Sequence, residues 1–182
     1  MTYKKNIFFT AFTVGILWAL TMSIVVSVIL SFITGSPLKP NILIVISIGS
    51  IAGILNLHVL RSTLILLLLI ISSILLSTLT YGPITTGHDI SHLLNYASQT
   101  LFAASTVLPL TKILSGLSVK ESGRHEIEEA FIRFSSGFGL IFFTMIVLIP
   151  FYVMLMTSLK TQQELLLNPL DFSIDLSRGL IL

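Results

Sequence analysis

Cysteine is absent from the 182 residues, which removes disulfides, thiolate zinc sites and cysteine nucleophiles together. Charge is nearly as scarce. Asp, Glu, Lys and Arg make up 10% of the chain, against roughly a quarter in soluble domains, too few to cover a water-soluble fold. The ten Lys and Arg residues are spread over the whole length and form no stripe that follows a phosphate backbone. That excludes nucleic acid as a partner despite a net charge of +2 and a pI near 9.0. Repeats at helical-hairpin length are missing, which speaks against an inverted-repeat transporter. Asp and Glu are missing from the long apolar runs, which speaks against an ion-coupled pump working alone.

What the chain has in quantity is hydrocarbon: 54% of its residues are hydrophobic and its mean hydropathy is +1.00. In a bilayer only helices and closed barrels satisfy every backbone group internally, and barrel strands alternate apolar with polar residues. The run from Leu64 to Ile71 does not alternate. The expected fold is therefore all-α, a polytopic transmembrane helical bundle over residues 1–159 followed by a surface tail, 160–182.

Lys4 and Lys5 precede an apolar run from Ile7 to Ile33. A signal-peptide core has about 7 to 15 apolar residues, so this run reads as an uncleaved first span near 6–34. Gly35, Ser36, Pro37 and Pro40 end it. Residues 41–80 then form an apolar stretch that, at about 1.5 Å per residue, is twice the ~30 Å hydrocarbon thickness. It must fold back at its one polar cluster, Asn56, His58, Arg61, Ser62 and Thr63, giving spans near 41–58 and 63–80. Tyr81 to Ser98 opens with Tyr-Gly-Pro and reads as a loop. A last span is clear at 134–159, with Pro150 near one end.

Hydropathy alone does not decide segment 99–117, which carries Gln99, Ser105, Pro109 and Lys112. Lys and Arg near span ends favour the cytoplasmic side, and they do decide it. If the segment crosses with the N-terminus inside, Lys4, Lys5, Arg61, Lys112, Lys120, Arg124 and Arg133 are cytoplasmic, while Lys39, Lys160 and Arg178 are outside. If it does not cross, the two sides balance. The expected topology is five spans, with four as the alternative, in a plasma (inner) membrane with the N-terminus cytoplasmic.

Three constellations invite a function. Ala11, Gly15, Ala19 and Ser23 recur every four residues on the first span, and Gly49 and Gly53 form a GxxxG pair on the second. Such faces let another backbone approach closely, within this bundle or from another subunit. Residues 119–134 read as a short cytoplasmic amphipathic helix running into the last span. Ile127, Phe131 and Phe134 share a face, with Glu128, Glu129 and Arg133 largely on others, a pattern suited to docking a partner. His88, Asp89 and His92 form HDxxH, whose two histidines share one helical face as a metal pair does, but no third ligand of matching type stands near. Asp89 equally suits a helix cap. Trp18, mid-span, reads as a packing residue.

No set of nucleophile, acid and metal ligand converges, and no cofactor is expected. The first reading is a non-enzymatic subunit of a larger membrane assembly, its partners the lipid bilayer and other membrane or cytoplasmic subunits. The second is a small transport or solute-binding membrane subunit for a neutral or apolar ligand. The third is a membrane enzyme using His88, Asp89 and His92 at the outer surface.

Overall fold

A computed structural model describes residues 2–34, 38–58, 62–78, 81–85, 92–117 and 124–159. They are all-helical apart from one two-stranded ribbon. In chain order the elements are α1 (Thr2–Thr34), β1 (Lys39–Pro40), α2 (Ile42–His58), α3 (Ser62–Thr78), β2 (Ile84–Thr85), α4 (His92–Ile113) and α5 (Arg124–Leu159). Two of the helices, α1 and α5, are long and apolar enough to cross a membrane. The other apolar helices, α2 and α3, have 17 residues each. At ~1.5 Å per residue they are about 25 Å long, short of the ~30 Å hydrocarbon core.

Helix boundaries follow local chemistry. α1 runs unbroken through 33 residues because no proline or glycine pair interrupts it before Gly35. α2 begins just after Pro40 and Asn41, and the Asn41 carbonyl accepts the first helical bond, from Val45 N at 2.9 Å. α4 ends where Gly116 takes the left-handed region, φ 96°, open to a residue without a Cβ. Pro109 lies inside α4. Proline has no N–H to donate back to the carbonyl four residues earlier, here Ser105, and the Trp18 indole Nε1 donates to that oxygen instead, at 3.4 Å.

Contacts orient the helices in alternation. Ala11 and Gly15 of α1 meet Gly53 of α2, while Ala19 meets Gly49, so these two run antiparallel. Asn95 of α4 bonds Ser77 of α3, and Arg133 of α5 reaches Lys112 and Ser115 at the far end of α4. α5 lies parallel to α1: Asn6 and Phe9 face Arg124 and Phe131, and Phe32 packs on Tyr152, ring centroids 5.3 Å apart. One end of the molecule carries Lys112, Arg124 and Arg133. The other carries the ribbon, in which Lys39 pairs with Thr85 and Pro40 with Ile84, antiparallel.

The core lies among α1, α2, α3 and α4 and includes Val14, Trp18, Val45, Ala52, Ile65, Phe102 and Val107. α5 is peripheral. None of its most apolar stretch is buried, against 39% of the corresponding stretch in α1.

One expectation needs correction. Residues 92–98 are helical, not loop: α4 starts at His92, because Asn95, Ser98 and Gln99 find partners inside the bundle and so need no water. From Arg124 the amphipathic segment runs without a break into the last helix as the first part of α5, while residues 119–123 lie outside the described residues.

Candidate functional site

The small-residue faces of α1 and α2 close on each other within the chain. A methyl group built on Gly49 stands 2.7 Å from Ala19 Cβ and 2.7 Å from the Gly15 carbonyl oxygen; one built on Gly53 meets the Ala11 carbonyl. Backbones this close leave no room for a second molecule. Ser23 is buried beside them, its hydroxyl donating to Leu20 O at 2.8 Å.

At the charged end, the first turns of α5 serve the bundle on one side and face outward on the other. Ala130 is buried, while Ile127 and Phe134 pack against the core. Phe134 meets Trp18 edge to face, centroids 6.2 Å apart. Phe131 stays exposed, at 44%. Of the charged residues singled out in this segment, Glu128 pairs with Arg124 at 2.7 Å, an exposed pair contributing little. Arg133 does more: it pairs with Glu129 and donates to Ser115 Oγ at 2.6 Å and to the Ser115 and Lys112 carbonyls. It thereby adds a charged donor to the turn that follows α4, where the Lys112 carbonyl already accepts from the Ser115 N–H and hydroxyl.

Farther along, α5 touches α1 twice and leaves a gap between. Gly137 lets the Trp18 ring lie against the helix, a built Cβ being 3.2 Å from two ring carbons, and Tyr152 donates to the Phe32 carbonyl at 3.1 Å. Between these contacts lies a crevice of about 380 Å³, lined by Leu17, Leu20, Ile24, Phe138, Phe142 and Met145 among others. Its one polar lining residue, Thr21, donates its hydroxyl to Leu17 O at 2.8 Å. On the outward side of α5, Ser135, Ser136 and Gly139 are exposed, and a Cβ on Gly139 meets nothing within 4 Å.

His88 and Asp89 lie outside the described residues. His92 is the exposed first residue of α4. Among the described residues no three His, Cys, Asp or Glu gather.

The sequence reading missed a polar cluster under the ribbon. Gln99 is fully buried; its Nε2 donates to Ile84 O at 2.8 Å and to Asn95 Oδ1 at 3.1 Å. Asn95 Nδ2 in turn donates to Ser77 Oγ at 2.7 Å. The legible signal was two amides four residues apart, which share a helical face. No protein-family model matches the chain, nor does any curated protein or solved structure.

Proposed function

We propose that this chain is a non-enzymatic, five-span membrane protein acting as a subunit of a larger membrane assembly, with α5 as the helix that meets its neighbours. The N-terminus and the Arg-rich end face the cytoplasm in this reading, and the ribbon faces outside. The observation that carries it is the asymmetry of α5. Its apolar stretch is unburied while α1 and α2 have used their small faces on each other. Its outward side also holds Ser135 and Gly139 at a spacing of four, a notch into which another apolar helix fits.

The test is co-purification in mild detergent of the wild type against Gly139→Leu and Phe131→Glu. Gly139 has open space around it, and Phe131 is half-exposed at the rim of the cleft between α1 and α5, so the fold is expected to survive and the partner to be lost at least tenfold. Unchanged partner recovery in both variants removes this reading.

The crevice between α1 and α5 favours a second reading, binding of an apolar solute, since a largely apolar cleft of a few hundred Å³ is the usual form of a small-molecule site. Filling it with Leu20→Trp and Met145→Trp then abolishes binding of a fluorescent neutral hydrocarbon probe without dissociating any partner.

A further inference from the structure

The buried amide of Gln99 has its nitrogen held and its oxygen free. Nε2 lies between two acceptors, Ile84 O and Asn95 Oδ1. Turning the amide over would set carbonyl against carbonyl, so its orientation is fixed by its neighbours. The amide is planar, and fixing its nitrogen fixes Oε1 as well. That oxygen is buried and has no hydrogen-bond partner, a state that leaves its desolvation uncompensated when nothing fills it. Gly82 shuts the ribbon side: a Cβ there would stand 2.9 Å from Gln99 Nε2 and 3.3 Å from Ser77 Cα. On the same face of α4, two turns further on, Thr106 Oγ1 is likewise buried without a partner.

We propose that Gln99 Oε1, preorganised by Ile84 and Asn95, binds a neutral hydrogen-bond donor inside the ribbon end of the bundle: a water molecule or the hydroxyl of an uncharged solute. An anion has nothing to gain at a carbonyl oxygen. Among the described residues a cation finds no countercharge there, because their carboxylates, Glu126, Glu128 and Glu129, all stand on the first turns of α5 at the opposite end. A neutral donor satisfies the oxygen at no charge-burial cost, as internal water does for isolated polar groups elsewhere.

The experiment uses the full chain in detergent micelles, wild type and Gln99→Leu. X-ray hydroxyl-radical footprinting reads water beside Phe102, which is fully buried one turn from Gln99 and so takes no label from bulk solvent. Ile65, equally buried on α3, is the reference. Mass spectrometry of solvent extracts reads a retained solute. Bound water labels Phe102 in the wild type, and Gln99→Leu loses about fivefold of that label, the occupancy one neutral hydrogen bond of ~1 kcal/mol supports. A stoichiometric hydroxyl solute present in wild-type extracts and absent from Gln99→Leu identifies the second source. A wild type with neither label at Phe102 nor retained solute overturns the proposal, whether or not the variant folds.

Discussion

Gly53 and Gly139 are both helical glycines and meet opposite surroundings. Gly53 lies under the Ala11 backbone, and a neighbouring carbonyl cannot step aside as a flexible side chain does. Gly53→Val is therefore expected to lower stability by about 3 kcal/mol or more, beyond ordinary overpacking of roughly 1–3 kcal/mol. Gly139 has open space around it, so Gly139→Ala is expected to raise stability by roughly 0.5–1 kcal/mol, the usual gain from removing glycine inside a helix. Thermal unfolding followed by circular dichroism in detergent compares them; equal midpoints in all three proteins would refute the contact. The spacing of Ala11, Gly15, Ala19 and Ser23 made this ridge legible in the sequence. Its occupant was not legible, because a neighbouring helix of the same chain and one from another subunit demand the same small side chains.

α5 joins the bundle at two levels, and Arg133 makes the polar part of the lower one. Its planar fork reaches the Lys112 and Ser115 carbonyls while Glu129 holds its other nitrogen. Arg133→Leu keeps the helix but frees its base from α4. Spin labels on Lys112→Cys and His125→Cys, both exposed positions in a chain without native cysteine, are expected to give a clearly broader distance distribution in the variant. Arg133→Lys should recover only part of the loss, since an ammonium lacks the fork; superimposable distributions for Leu and Arg would mean that packing alone seats α5. The start of α4 shows why element edges resist reading. Asn95, Ser98 and Gln99 resemble loop residues by polarity, yet each has an internal partner, and polarity along a sequence does not reveal whether water or protein supplies the bond. The break between α2, ending at His58, and α3, beginning at Ser62, was legible for the converse reason: a polar cluster inside a stretch too long for one span marks where the helix must be interrupted.

Across the whole molecule, α2 and α3 are short for a bilayer and α1 and α5 are long, so crossings cannot be counted by length. The long helices fit by tilting or by emerging at one end, which suits the charged first turns of α5. α2 runs antiparallel against α1, so that its last residue, His58, lies toward the charged end, and α3 packs on α4. Alternating helix direction then puts Tyr81, 65% exposed, and His125, also exposed, at opposite ends, and in the proposed topology the cationic bias sets His125 inside. Single cysteines at these two positions, treated on intact cells with a membrane-impermeant maleimide, decide the matter. Tyr81→Cys is expected to react at once and His125→Cys only after permeabilisation. If α4 instead returned to the side it left, both would react on intact cells, the charged end would face outward, and the base of α5 would meet partners outside the cell. Because α4 is the helix between the two cysteines, this pair isolates the one helix that hydropathy leaves undecided, since its polar inner face, built around Gln99, lowers the apolar signal a crossing would give.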